Sequence, residues 1–393
     1  MNVTVRRADS YSVVPAGAAE FLASRHAWNA LAERVRYPSV FCGWEWTATW
    51  WEHYGAGREL RLLMIYRNGE LKGILPLFLQ RQLAGRDARV GRVLGYCTAA
   101  DLYPDPLDIV CAEMDADTCI EAVLAYLQQS ARDWDVLHLR FLTEDGHLLR
   151  SMGDARGYHA RIEQVSAAPY IPITGSYDDY LGKLSANERS NIRRRRRKLI
   201  EGRGAVYTDF RSDDAQQVLH TLFELHEKRA AEKKIDSSFA RVDVFTFHRD
   251  LLDRLDRNRV WLRGLRQNNA IVAVFYGFAA GGRVSYYQLG YDPHWADFSP
   301  GSVLLQETIR EAFDRGLTEY NFLQGEEPFK YRWTQEARAL YAVDLFNRSL
   351  CGYLSRSLTA VKHLLKSTKK RRTAAISSKN RMICPPWGHQ VRA

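Results

Sequence analysis

The sequence predicts an α/β (α+β) protein made of two similar units in tandem, each a mostly antiparallel sheet with flanking helices. Three observations carry this. First, residues 61–78 are an apolar run, an Asn68-Gly69 turn and a second apolar run. Asn-Gly between two such runs is a strong hairpin signal, because both residues tolerate positive φ. Residues 260–278 repeat the pattern around Asn268-Asn269. Second, each hairpin is followed by a helical stretch and a strand, at 115–131 and 134–141 in the first half and at 301–315 and 318–323 in the second. Third, 393 residues exceed one ordinary core. The chain divides accordingly into an N-terminal unit (1–170), an Arg-rich linker helix (171–202), a C-terminal unit (203–350) and a basic tail (351–393).

Met1 to Ser10 alternates polar and basic residues without an apolar stretch, so no secretory signal is visible. No run of roughly 18 apolar residues reads as a membrane span. The six cysteines form no CxxC pair and no metal spacing, which predicts small buried residues, a reducing cytoplasm and no metal site. Of the 56 Lys/Arg, ten lie after residue 350, where there is no Asp or Glu. The remaining 46 balance 46 acidic residues, so the whole net charge of +10 sits in the tail. A neutral body argues against a nucleic-acid track.

Residues 177–202 begin with Ser176 before Asp178 and Asp179, a capped helix start. They end in Arg193 to Arg197, which go all the way round a helix. Those arginines either pair with acids of neighbouring units or clamp an anionic substrate. Residues 213–233 read as a helix carrying His226, Lys228 and Arg229. Arg283 to Tyr291 is an aromatic-rich strand after a Gly281-Gly282 turn. Ser299 is a good N-cap and Pro300 suits the first helical position. The amides of Gly301, Ser302 and Val303 would then be free to bind phosphate, assisted by the helix dipole. In the tail, Leu354, Leu358, Val361, Leu364 and Leu365 make one apolar stripe flanked by Arg356, Lys362 and Lys366. That stripe either packs on the body or lies on an anionic membrane face.

The strand end Phe322-Leu323-Gln324-Gly325-Glu326-Glu327-Pro328-Phe329-Lys330-Tyr331 is the candidate for chemistry. Gly325 allows a sharp turn. Glu326 and Glu327 are candidate bases for an amine nucleophile. Lys330 could hold a substrate anion or stabilise developing negative charge. Tyr287, Tyr291 and Tyr331 are candidate proton donors to a departing thiolate.

These motifs, with Leu184-Ser185-Ala186-Asn187 running into the Arg-rich helix and Leu225-His226-Glu227-Lys228-Arg229, resemble the CelD-like branch of the GNAT acyltransferase superfamily. That branch was named from cellulose biosynthesis loci and is related to the FemAB peptidyltransferases. Phe41-Cys42-Gly43-Trp44-Glu45-Trp46 and Trp50-Trp51 also resemble the family's opening, and the likeness spans roughly residues 40–347. The resemblance implies tandem GNAT-like units and acyl transfer from acetyl-CoA or another acyl-CoA to an amine of a small molecule or cell-surface precursor. It implies that Gln288, Leu289 and Gly290 pair with the pantetheine arm and that Ser299, Gly301 and Ser302 face the pyrophosphate. His226, Arg229 and Tyr331 become substrate-binding candidates. Ser-Pro-Gly stands here in place of the usual Gln/Arg-x-x-Gly-x-Gly/Ala phosphate loop. Asn321 stands where related sequences tend to have Asp, which moves the base role to Glu326 or Glu327. The N-terminal unit, with Asp115-Ala116-Asp117-Thr118 at the corresponding place, is expected to be non-catalytic. Two rival readings use the same fold. One is a FemAB-like aminoacyl-tRNA-dependent transferase. The other is a non-catalytic scaffold in exopolysaccharide biosynthesis, held by its basic tail at the inner membrane face.

Overall fold

The structure is a computed structural model that describes residues 11–365 except 84–87, 99–101, 103, 154, 156, 211–213, 234–238 and 240. Its first strands are β1 (Tyr11–Ala16), β2 (Glu59–Arg67), β3 (Glu70–Gln82), β4 (Gly91–Tyr96), β5 (Val110–Cys111), β6 (Val136–Thr143) and β7 (His159–Pro172). The rest are β8 (Val206–Asp209), β9 (Val260–Gln267), β10 (Ala270–Ala280), β11 (Arg283–Tyr291), β12 (Glu319–Asn321) and β13 (Ala337–Phe346). The helices are α1 (Ala18–Ala23), α2 (Arg25–Ala32), α3 (Trp44–Tyr54), α4 (Ala116–Gln129), α5 (His147–Gly153), α6 (Tyr177–Lys183), α7 (Ala186–Arg196), α8 (Ala215–Lys233), α9 (Val242–Arg254) and α10 (Pro300–Asp314). A last helix, α11, covers 350–365.

Both hairpins form where the turn residues demand. Asn68 (φ 52°) and Gly69 (φ 80°) join β2 to β3, and Asn268 (φ 53°) begins the turn from β9 to β10. The strands make one sheet in the order β1-β2-β3-β4-β6-β13-β7-β12-β11-β10-β9-β8, with β5 on β3. The order is close to symmetric about the β13–β7 pair. Each half is antiparallel except at one place: β4 runs parallel to β6, and β11 parallel to β12. The two halves exchange their last strands. β13 pairs with β6 of the first half, and β7 with β12 of the second. The boundary read from the sequence at residue 170 therefore falls inside a strand that both halves share. Arg338 on β13 reinforces the seam with a bidentate pair to Glu319 on β12 (2.9 and 2.6 Å) and lies 3.7 Å over the Tyr170 ring.

Helices cover both faces. α4 packs its Cys119, Ile120 and Val123 on one face of the first half, and α1–α3 cover the other over β2 and β3. In the second half α10, α6 and α7 share one core and α8 and α9 the opposite one. Trp46 of α3 packs edge-on against Phe247 of α9 and Phe278 of β10, which joins the halves a second time. Arg263, fully buried, reaches Glu311 through two 2.8 Å contacts and Asp209 at 2.7 Å, so the ion pairs of that core are well satisfied. Among the described residues the free cysteines are buried except for the half-buried Cys351; Cys384 lies outside them.

The tail departs from expectation. α11 does pack on the body, but through Ser355, which bonds the Val90 amide at 2.9 Å, and Thr359, not through its leucine stripe. Leu354 and Val361 stay about half exposed. The Lys369–Arg372 run and Pro385-Pro386 lie outside the described residues.

Leu345 on β13 is fully buried against the first half. Leu345→Ala is expected to cost about 2–5 kcal/mol. Because the last strands are exchanged, tryptophan fluorescence and far-UV circular dichroism should report one coincident, lowered urea midpoint. Two separated transitions would show that the halves unfold independently.

Candidate active site

A parallel pair stays together only while both strands run on. β12 pairs with β11 over three residues, ending at Ser285–Asn321, while β11 continues to Tyr291. Beyond that point the strands part, and the gap between them is a cavity of about 470 Å³ lined by Tyr286, Tyr287, Gln288, Leu289 and the turn Phe322 to Gly325. A second compartment of about 230 Å³ adjoins it at the start of α10, lined by Gly301, Ser302, Tyr291, Arg195 and Arg332. Arg229, Tyr286, Leu289 and Phe329 face both.

The turn after β12 is held in a sparsely populated conformation. Leu323 has φ +56° and Gly325 φ +115°, and a Cβ on Gly325 would meet a Glu327 carboxylate oxygen at 2.4 Å. Each strained group has a partner. Asn321 Oδ1 accepts from the Leu323 amide (2.7 Å), and Asp105 Oδ1 accepts from the Gln324 amide (2.9 Å). The Gly325 amide donates to the Ala167 carbonyl (2.9 Å). Lys330, buried, donates to the Leu323 and Gln324 carbonyls (3.2 and 2.7 Å) and pairs with Glu327 (2.9 Å). Burial pulls the Lys330 pKa down, opposed by Glu327.

The expected site residues sort by position. Tyr287, Gln288, Leu289, His226, Arg229, Glu327 and Lys330 line the larger compartment. Tyr291, Gly301 and Ser302 line the smaller, where the Tyr291 ring lies 5.4 Å from the Arg229 guanidinium. Gly290 faces away: a Cβ there would meet Leu222 and Leu225 of α8 at 2.8 and 3.2 Å. Glu326 is exposed, and Tyr331 sits half-buried with its pKa raised mainly by burial; neither lines either compartment. Asn321 and Lys330 shape the turn with bonds to its backbone. Ser299 is not a side-chain cap. It takes a left-handed conformation (φ 53°), and its carbonyl accepts from the amides of Ser302 (3.0 Å) and Val303 (3.1 Å). Those two amides, expected to be free, are thus engaged by the helix start itself.

Two groups, Asp105 and His248, lay outside the sequence reading. Asp105 is buried in a loop of the first half, and its second oxygen has no partner. Burial pushes its pKa up to about 7, opposed by the Gln324 amide and the Lys330 charge. His248 of α9 is fully buried, and its Nε2 lies 3.1 Å from the Tyr287 hydroxyl and its Nδ1 3.3 Å from that of Tyr276. Burial lowers the His248 pKa to about 3, so the ring is neutral at pH 7. His226 is likewise pulled down to about 4 by burial and by Arg229, and its Nε2 has no partner. No local pattern announces Asp105 or His248; both are brought in by packing.

The arginine run divides. Arg195 faces the smaller compartment, Arg196 pairs with Glu307 at 2.9 Å, Lys198 reaches the Asp297 carbonyl at 3.0 Å, and Arg193, Arg194 and Arg197 are exposed. Among the described residues no cluster of His, Cys, Asp and Glu could hold a metal, and no helix is long and apolar enough to cross a membrane.

Residues 186–331 match the family described as acetyltransferase (GNAT) domain. That segment holds both compartments except for Leu102 of the first half and Arg332 and Trp333 at the edge. Among solved structures, the chain is similar to FemX, at 12% identity and TM-score 0.59, over 81% of this chain and 95% of that one. It is also similar to the C-terminal domain of a putative lysylphosphatidylglycerol synthetase from Agrobacterium fabrum, at 10% identity and TM-score 0.52, over 87% and 97%. L-PGS from Bacillus licheniformis aligns at 13% identity and TM-score 0.51, over 82% and 96%. At these identities the likeness is one of fold. No curated protein matches the sequence.

Lys330→Met would strand two buried carbonyls of the turn and is expected to cost about 2–3 kcal/mol of stability, measured by urea denaturation. Asp105→Asn tests the buried carboxyl. A pKa raised above the unfolded value means stability falls as pH rises from about 4 through 7. The variant keeps an acceptor for the Gln324 amide but should lose that part of the slope, leaving it more stable than wild type at pH 8.

Proposed function

We propose that the chain is an N-acyltransferase that moves an acyl group from an anion-tailed activated donor to an amine. The observation that supports this most is the cavity's two-part shape. The strand gap offers a polar slot for a reacting acyl carbon, and it opens into a compartment where Arg195, Arg229 and Arg332 face one acid, Glu188. The Arg229 Nε is buried without an acceptor, as expected of a group meant for a ligand anion.

The leading donor is an acyl-CoA, with its pyrophosphate by Arg195, Arg229 and Gly301 and its pantetheine arm along Gln288 and Leu289. In this reading the Leu289 amide, which lies past the last β12 pairing and donates to Gln288 Oε1 at 3.3 Å, turns to the acyl carbonyl when the donor binds. Glu327, which lines the cavity, takes the proton of the attacking amine. The new C–N bond forms as the C–S bond breaks, and Tyr287 returns a proton to the thiolate. Tyr276 and His248 prepare that donor. The buried Tyr276 hydroxyl satisfies its proton on His248 Nδ1, which places the ring proton on Nε2, facing the Tyr287 oxygen. In this proposal Tyr287 accepts from His248 while it gives its own proton to the leaving group. The acceptor is a small-molecule or cell-envelope amine, and the CelD-like motifs favour a polysaccharide precursor.

A second donor is supported by one feature. Exposed Arg193, Arg194 and Arg197 continue the cationic rim away from Arg195, as a longer polyanion such as an aminoacyl-tRNA requires.

Isothermal titration with acetyl-CoA and longer acyl-CoAs should give saturable binding that Arg229→Gln weakens about tenfold or more. Absence of binding together with steeply salt-dependent tRNA binding would select the second donor; absence of both would remove the reading. With donor and acceptor in hand, Glu327→Gln is expected to lower kcat about 10²–10⁴-fold, and Glu326→Gln to leave it unchanged.

A further inference from the structure

Helix α8 carries two buried nitrogens, one turn apart, that the folded chain leaves without partners: His226 Nε2 and Arg229 Nε. They stand at different places. Arg229 faces both compartments, whereas His226 faces only the strand gap. In the reading above, Arg229 meets the anionic part of the donor. His226, only 9% exposed, has no part in it. Burying a polar nitrogen without a partner is costly, so a group kept in that state calls for a partner that arrives from outside.

Gly290 seats the imidazole. A Cβ there would meet Leu222 and Leu225 at 2.8 and 3.2 Å, and at 3.4 Å the His226 Cδ2, the carbon bonded to Nε2. Because β11 has no Cβ at this point, α8 lies close on the strand and brings that edge of the ring to the residue next to Leu289. The Phe239 ring, 5.1 Å from the imidazole, lines the gap with Val244 and makes this side of it apolar. Burial, assisted by the Arg229 charge, lowers the His226 pKa to about 4. The ring is therefore neutral at neutral pH. A neutral imidazole donates one hydrogen bond and brings no charge, which suits a carbonyl oxygen better than a phosphate. Its weak hold on a second proton also argues against the role of base.

We propose that His226 is a further catalytic residue of the acyl transfer, donating from Nε2 to the acyl carbonyl oxygen beside the Leu289 amide. This role rests on the acyl-CoA reading of the strand gap. The two donors differ in what they give up. The Leu289 amide leaves Gln288 Oε1, whereas His226 Nε2 has no bond to break. As the amine adds to the carbonyl carbon, the C–O π pair moves onto the oxygen, and the Nε2–H bond to it strengthens. The pair returns as the C–S bond breaks, and the imidazole keeps its proton throughout. A donor already in place stabilises such charge most where water is shut out. α8 thereby reads both ends of one molecule, the neutral carbonyl through His226 and the anion through Arg229.

The test is isotope-edited infrared spectroscopy of acetyl-CoA, labelled with heavy carbon at the thioester carbonyl and bound to the full chain, after isothermal titration has measured its affinity. In the wild type the bound carbonyl should absorb at lower frequency than in free acetyl-CoA. In His226→Leu, with circular dichroism unchanged, affinity should stay within about threefold and the band should move back toward the free position. His226→Gln, which keeps an N–H donor, should retain part of the shift. A merely structural role would lower the affinity and leave the band of the bound molecule in place; that result overturns the proposal. So does a wild-type band at the free position, which decides the matter even where His226→Leu does not fold. Acetyl-CoA that fails to bind the wild type at all removes the donor reading, and this role with it.

Discussion

The short parallel pairing of β11 with β12 is the constraint on which the site depends. Parallel neighbours cannot be joined by a tight turn, so a helix must carry the chain from one to the other. α10 does this, and its start arrives beside the strand it left. Once β12 ends at Asn321, β11 carries its backbone groups on without a ladder partner on that side. The cavity, the position of the α10 start and the strained turn at Leu323 and Gly325 all follow from this early parting.

The first half obeys the same constraint with a different outcome. β4 and β6 are parallel over only three residues. There the chain fills its own gap: the Leu107 amide bonds the Phe141 carbonyl at 3.0 Å, and the Tyr96 hydroxyl bonds the Asp108 carbonyl at 2.8 Å. Asp108 then accepts from the Ile109, His147 and Leu148 amides, at 2.7 to 2.9 Å, which locks the plug to the start of α5. The plug is also a strut for the other half, since Asp105 in the same loop holds the Gln324 amide. One half thus gives up its own gap and supports the turn that shapes the other.

What was legible in the sequence was local. Asn68-Gly69 fixes a hairpin because positive φ is cheap there. Pro300 marks a helix start because its fixed φ and missing amide fit the first turn. Ser176 and Asp179 form their capping box within four residues. Long-range pairing left no such mark. β13 reads as a strand, but nothing in its residues says that it lies between β6 and β7. Asp105 and Gln324 stand 219 residues apart, and His248 and Tyr287 39 apart. Nor did the sequence show where a nearer partner takes up a side chain or an amide. Lys330 spends its donors on the turn's carbonyls, and the Ser302 and Val303 amides turn back to Ser299.

The strand exchange also ties the two halves into one sheet. Of the neighbouring strands β3, β4, β6, β13 and β7, only β13 comes from late in the chain, so a strand of the second half closes the sheet of the first. Arg89, Arg140 and Arg161 stand on or beside strands whose registers are set by β6–β13 and β13–β7 pairing. A shift of β7 against β13 would therefore also disturb β12, and with it the turn at Asn321 that opens the cavity. β7 thus meets both halves along its length: its Arg161 stands opposite Asp344 of β13, and its Tyr170 pairs with Asn321 where the cavity opens.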